Sequence, residues 1–375
     1  MRPRLNALTT LRFFAALHVV LFHMRVVGIL SGGPWWYQNF ASIGYVGVNF
    51  FFVLSGFILV YTYEGSAFSV RKFWWARFAR IYPAYVLSLI VAAPFFFFAI
   101  RHLDLPFFAW SKQHLLAACL LTIVLLQSWI PQAALTWNSV CWSLSVEAFF
   151  YLLFPLLLLG SAKFPKAKLA VCFAVSCLLS LVFSAGYLYF HPDGLDKINS
   201  GETTLFWKNI LSFNPIVRLP EFATGVFAGR LFLAGAGKKS LATPLILGGL
   251  LAFVAVVATA TQIPNPLLSA GFLSLIFAAI IYGAALQPDW ASILGNRLLV
   301  LLGDASYSLY LLHSLIITRV FDSFPTFPRS ARVVISLLAA ILASILAYRL
   351  VEEPARRFLR RKSKAQAQAR GKVVA

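Results

Sequence analysis

Eleven apolar runs limit what this chain can become. They fall near residues 7–29, 43–63, 81–100, 114–130, 143–160, 168–190, 217–234, 241–261, 267–286, 298–320 and 331–350. Runs of about 17–25 residues match what a helix needs to cross ~30 Å of hydrocarbon. The runs are continuous rather than alternating, so the 36 Phe do not argue for a barrel. Hydrophobic residues make up 60% of the 375, where soluble domains hold roughly half. The expected fold is all-α, a polytopic bundle of transmembrane helices.

Loop charge assigns sides by the positive-inside rule. Arg2 and Arg4, the 64–80 loop (Arg71, Lys72, Arg77, Arg80), the 161–168 loop (Lys163, Lys166, Lys168), Lys238 and Lys239, and the tail from Arg356 to Lys372 all want the cytoplasm. The uncharged 30–42 loop and the 191–216 loop, with Asp193, Asp196 and Glu202, belong outside. Strict alternation satisfies every loop except in the middle. Two full crossings between 113 and 163 would put three lysines outside. One of the runs 81–100, 114–130 and 143–160 therefore does not cross simply, and the short 114–130 run is the suspect, as a re-entrant or tilted segment. About ten spans follow, with both termini cytoplasmic. Residues 1–355 read as one integral-membrane domain and 356–375 as a basic, disordered cytoplasmic tail whose charge suits anionic lipid. The basic, apolar start lacks a small-x-small cleavage site before the next span and reads as a retained first helix.

The net charge of +20 would suggest nucleic acid in a soluble protein. Here the excess sits in short loops and a tail, so no nucleic-acid partner is expected. The four cysteines (Cys119, Cys141, Cys172, Cys177) have neither metal-ligand nor disulfide spacing and read as small packing residues. No metal is expected.

Chemistry concentrates where polar groups interrupt the runs. Arg12 and His23 are eleven residues apart, about three helical turns and ~16 Å of rise, so they share a face. His18 is turned roughly 120–140° away from both. It reads as a core histidine bonded to a backbone carbonyl. Arg12 either snorkels to the interface or marks, with His23, an intramembrane pathway. Glu147 sits in the apolar helix that follows Trp137–Asn138 and needs a partner from another helix. His23, at the same expected depth, is the natural candidate, since a carboxylate beside an imidazole fixes its tautomer and raises its basicity. The other reading is a structural hydrogen bond to Ser or backbone. Arg77 and Arg80, three apart at a helix entrance with Pro83 in the first turn, are either topogenic charge or a cytoplasmic phosphate clamp. Gly44, Gly47 and Gly56 allow close helix approach, or let a long ligand lie against backbone. Asp304, Tyr307, Tyr310 and His313 occupy one apolar helix. Arg218 and Glu221, at i and i+3, read as mutual neutralisation. The aromatic loop Gly32–Phe40 holds either lipid anchors or a sugar-stacking surface.

Taken in order, these stretches resemble the acyltransferase 3 family, the integral-membrane O-acyltransferases of bacteria. The matches are Arg12-x10-His23, the Gly44–Gly56 span, Arg77-x-x-Arg80 before Ile81-x-Pro83, Trp142-Ser-Leu-x-x-Glu147, Ser306-Tyr-x-x-Tyr310-Leu-x-His313, and Glu353-Pro354. Each is weak alone; their order and spacing over residues 5–355 carry the resemblance. It implies a multi-pass protein of the bacterial cytoplasmic (inner) membrane. It implies transfer of an acyl group, often acetyl, from cytoplasmic acyl-CoA to a hydroxyl of a carbohydrate, lipid-linked saccharide or other glycoconjugate at the outer side. Acyl-CoA would be a co-substrate, with no bound cofactor and membrane lipid as surroundings. On that resemblance Arg77 and Arg80 would hold the CoA phosphates and Arg12 would guide the pantetheine end. His23, oriented by Glu147, would deprotonate the acceptor. Tyr310, His313 or Asp304 would line the acceptor cavity or stabilise the oxyanion. A proton-coupled transporter without acyl-transfer chemistry is the competing class, since buried Arg, His and Glu suit a carrier too. The lack of a visible inverted repeat and the ordered motif set stand against it.

Overall fold

The apolar runs become helices packed around helices. In a computed structural model, which describes residues 2–65, 68–287 and 289–359, no strand occurs among the described residues. The first third of the chain forms α1 (Asn6–Val26), α2 (Trp35–Ser42), α3 (Gly47–Tyr63) and α4 (Val70–His102). Two short helices follow, α5 (Ala109–Gln113) and α6 (Leu115–Ile123), and then α7 (Trp142–Gly160), α8 (Lys166–Phe190), α9 (Phe206–Phe213) and α10 (Pro215–Leu233). The last part holds α11 (Ala242–Ala258), α12 (Asn265–Ser269), α13 (Ser274–Ala285), α14 (Arg297–Ser323) and α15 (Arg329–Ala347). Among the described residues nine helices are long and apolar enough to cross a membrane. The protein is a multi-pass membrane helix bundle.

The 114–130 run does not form such a helix. Its α6 has nine residues, about 14 Å, less than half the hydrocarbon thickness. Leu125 then turns left-handed at φ 60, and a 3-10 turn, Gln127–Trp129, follows. This irregular backbone is tolerable because protein covers and bonds it. The Gln127 amide donates to the Cys141 carbonyl at 3.0 Å, Ser128 Oγ to the Trp142 carbonyl at 2.7 Å, and the Tyr85 hydroxyl to the Thr122 carbonyl at 2.5 Å.

Helix α10 has nineteen residues and three charges, Arg218, Glu221 and Arg230. It is kept out of lipid by α3, α7, α8 and α13. Small residues allow that enclosure. A Cβ on Gly225 of α10 would run into the Val53 carbonyl of α3, and one on Gly56 of α3 would run into the Phe222 carbonyl of α10. Gly44 and Gly47 do the same for α1 against His18 and Ala15, so these glycines serve helix approach. The Arg218 and Glu221 side chains are each 1% exposed and pair at 3.1 Å, the mutual neutralisation expected of them. Arg230 closes the end of α7, donating to the Leu158 and Ser161 carbonyls at 2.5 and 2.6 Å while pairing with Glu64 at 2.9 Å. Those carbonyls lack partners inside α7, as the last carbonyls of any helix do.

Two helices extend past their expected bounds. Ser69 caps α4 by accepting from the Lys72 N–H, so Arg77 and Arg80 lie inside the helix rather than at its entrance, and Pro83 is interior rather than in a first turn. Burial of Phe73 and Ala79 against neighbouring helices holds that amphipathic extension. At the other end α15 passes through a π turn, Tyr348–Glu352, and helix continues to Leu359. Pro354 has no N–H to give its helix, and the wider π turn beside it takes up the mismatch. Residues 356–359 of the expected disordered tail are therefore helical, with Trp75 donating to the Leu359 carbonyl at 3.0 Å. The rest of that tail lies outside the described residues.

Candidate active site

One cavity of about 610 Å³ gathers most of the residues singled out from sequence. Arg12, Arg77, Arg80, Glu147, Asp304 and Tyr310 all line it, although they come from α1, α4, α7 and α14. Arg2, Arg4 and Arg356 line it as well. His23 and His313 stand beyond that lining, with Tyr310 one helical turn before His313 at the cavity's edge.

The arginines differ in what they touch. Arg12 makes no hydrogen bond or ion pair among the described residues. Arg77 donates to the Tyr63 hydroxyl at 3.2 Å. Its guanidinium lies 5.7–5.8 Å from the ring centres of Tyr63, Phe73 and Tyr151, within cation–π range. Its Nε is buried without a hydrogen-bond partner. Arg80 instead meets Glu352 at 3.4 Å. That carboxylate is fully buried and also accepts from Ser308 Oγ at 2.9 Å. The two arginines of the expected phosphate clamp share the cavity, but only Arg80 has a carboxylate partner.

Glu147 does not orient His23. Its carboxylate accepts from Ser55 Oγ at 3.2 Å and from the Tyr151 hydroxyl, four residues along α7. These local partners hold it on the cavity wall facing α3, the serine bond weighed as the alternative from sequence. His23 meets a different group. Its Nδ1 is 2.9 Å from the Val19 carbonyl and 3.2 Å from Nε2 of His313 on α14. The two rings are 4.8 Å apart and edge-on. Nδ1 of His313 faces the Tyr310 and Leu309 carbonyls at 2.8 and 3.1 Å. His18, as expected, bonds the Phe40 carbonyl at 2.7 Å and stacks on the Phe40 ring.

The weaker candidates separate. The Tyr310 hydroxyl donates to the Val140 carbonyl at 2.9 Å and touches Ser143 Oγ at 2.7 Å. Asp304 pairs with Arg4 at 2.5 Å, nine residues and ~13 Å along α14 from His313. It therefore lies apart from the His23–His313 contact. Among the described residues no group of three His, Cys, Asp or Glu side chains could hold a metal ion. Sequence reasoning missed Glu352, Tyr63 and Tyr151. The i, i+4 spacing of Glu147 and Tyr151 was a usable signal. Glu352 was masked by its neighbour Glu353, because only the π turn decides which of the two is buried against Arg80.

Compared with known proteins, residues 5–349 match the family model described as an acyltransferase domain. The chain belongs to that family. This acyltransferase is 28% identical to the acyltransferase MdmB of Streptomyces mycarofaciens, over 96% of the present chain and 93% of that one. It is 26% identical to the O-acetyltransferase OatA of Staphylococcus aureus, over 95% of the chain but 58% of OatA. A peptidoglycan O-acetyltransferase OatA of Listeria monocytogenes is 25% identical, over 95% of the chain and 56% of that protein. The chain thus spans somewhat over half the length of the OatA relatives. No solved structure matches.

Proposed function

We propose that this acyltransferase is an O-acyltransferase of the bacterial cytoplasmic membrane. It takes an acyl group, acetyl in the first instance, from cytoplasmic acyl-CoA and passes it to a hydroxyl of a saccharide or glycoconjugate at the outer side. The observation that carries the reading is the cavity's charge. Six arginines (Arg2, Arg4, Arg12, Arg77, Arg80, Arg356) line it against three carboxylates (Glu147, Asp304, Glu353). Arg12 makes no hydrogen bond or ion pair among the described residues, and the carboxylates of Glu352, Asp304 and Glu147 act on it only at longer range, against the like charge of Arg80. A cation left unpaired at membrane depth is costly unless a ligand brings negative charge. The phosphates of CoA supply that charge, and arginine recognises them with a planar fork of N–H donors.

In this reading Arg77 and Arg12 meet the donor's anionic groups, while Glu352 steadies Arg80 at the same wall. Glu147, held by Ser55 and Tyr151, limits the positive field. His23 takes the acceptor's hydroxyl proton. The oxygen attacks the thioester carbonyl, the C–S bond breaks, and the proton passes from His23 to the departing CoA sulfur. The saccharide class is supported by the relatives named as O-acetyltransferases, one of them acting on peptidoglycan. Trp35 and Trp36, 63% and 56% exposed on α2, suit a sugar face or a lipid headgroup alike.

The test is thioester cleavage. Purified protein in proteoliposomes receives radiolabelled acetyl-CoA and a panel of saccharides, and free thiol is measured. Acceptor-dependent CoA release is expected, and loss of it in His23→Ala. Release that persists in that folded variant would remove the base role. No release with any acceptor would remove the acetyl-CoA donor.

A further inference from the structure

We infer that His313 is a positioning residue for the reaction, holding His23 in the one neutral tautomer whose Nε2 is bare. The inference rests on reading His23 as the base. Both faces of the argument are donor–acceptor accounting. Nδ1 of His313 faces two carbonyl oxygens, of Tyr310 and Leu309. Carbonyls only accept, so this nitrogen carries the proton. A neutral His313 then presents a lone pair at Nε2. That lone pair lies 3.2 Å from Nδ1 of His23, whose other neighbour is the Val19 carbonyl at 2.9 Å. Two acceptors converge on Nδ1 of His23, so it carries the proton and shares it between them. Neutral His23 is thereby left with its lone pair on Nε2.

That nitrogen has no protein hydrogen-bond partner among the described residues, and His23 is only partly buried. It is therefore open to receive a proton. The reverse tautomer of His313 would aim a lone pair at two carbonyls, and the reverse tautomer of His23 would aim one at the Val19 carbonyl and at His313.

When His23 takes the acceptor's proton it becomes an imidazolium, and its Nδ1–H bond to His313 becomes charge-assisted, roughly doubling in strength. His313 thus does with a neutral ring what the aspartate of a Ser-His-Asp triad does with a charge. A neutral partner suits this depth, because a second buried charge carries a large desolvation cost. Among the described residues the other rings around the pair are Phe22, 5.1 Å from His23, and Tyr310, 6.2 Å from His313.

The test combines histidine nitrogen NMR with kinetics. Protein with ¹⁵N-labelled histidine is placed in nanodiscs, and His23 is assigned by difference against His23→Ala. The expected signature is Nδ1 protonated and Nε2 bare, with the Nδ1 resonance displaced in His313→Leu. His313→Leu should lower kcat by about 10- to 100-fold, in the range of other residues that orient a reactive side chain, with the KM for acyl-CoA unchanged. His313→Gln, whose amide oxygen can still accept, should recover part of the loss. Protonation of His23 at Nε2, or a Nδ1 resonance indifferent to His313→Leu, would overturn the inference, as would equal kcat in the Leu and Gln variants. The wild-type spectrum stands whether or not the Leu variant folds. If His23→Ala stays active while the tautomer is as described, the base reading fails and the paired geometry survives.

Discussion

Replacing Gly225 by Ala should loosen the contact between α3 and α10 and lower stability. A Cβ there would stand 2.8 Å from the Val53 carbonyl carbon and 3.0 Å from the Phe57 nitrogen, with the Val53 oxygen nearer still. All three are backbone atoms, so no side-chain rotation can relieve the clash. The oxygen is the tightest of the three, and a carbon needs about 3.2 Å or more from it, so the helices must part by about 1 Å or more. Overpacking of this kind costs about 1–3 kcal/mol, against about 1 kcal/mol gained from the better helix propensity of alanine. The strain also reaches the cavity, because Ser55, two residues from Val53, holds Glu147 at 3.2 Å. Gly248→Ala is the matched control, since a Cβ on Gly248 meets nothing within 4 Å. Thermal unfolding in detergent, followed by tryptophan fluorescence, should place Gly225→Ala below wild type and Gly248→Ala at or above it. Equal midpoints for the two variants would refute the backbone-clash reasoning.

Arg12→Ala should leave the unfolding midpoint near wild type, because Arg12 makes no direct hydrogen bond or ion pair to lose among the described residues, and its longer-range attraction to three carboxylates is opposed by Arg80. It should raise the KM for acyl-CoA by roughly 10- to 100-fold, the value of a hydrogen bond to a charged group; titration of initial rates checks it, and an unchanged KM would remove Arg12 from donor binding. Arg230→Met should destabilise by roughly 3 kcal/mol or more, as breaking a buried pair does, because two α7 carbonyls and Glu64 lose their donor; detergent unfolding reads this, and a wild-type midpoint would contradict the capping role. Glu352→Gln should free Arg80 from its buried anion. Its expected result is a changed KM for acyl-CoA with modest loss of stability, and an unaltered KM would place Arg80 outside donor recognition.

Much of the candidate site was legible because charge is conspicuous in an apolar helix. Arg12, Arg77, Arg80, Glu147, Asp304 and Tyr310 stood out from their runs, and one cavity gathers them. The spacing of Arg12 and His23 fixed a shared helix face, since a helix repeats every 3.6 residues. Partnerships were not legible. Glu147 was matched to His23 by expected depth, yet it meets Ser55 and Tyr151, and His313 meets His23. Depth ranks candidates along a helix axis but says nothing about which helices are neighbours.

By itself, then, the sequence determined that the chain forms a membrane helix bundle, which runs become its long helices, and which polar residues are too costly to leave without a purpose. Those properties follow from hydrophobicity and local periodicity, which belong to each segment alone. The tertiary structure decided that α10 is enclosed with its charges paired, that Glu352 rather than Glu353 is buried against Arg80, and that two histidines meet across α1 and α14. These depend on which helices touch and at what rotation. Backbone contacts at small residues such as Gly225 and Gly303 set that rotation, through distances that no single segment encodes.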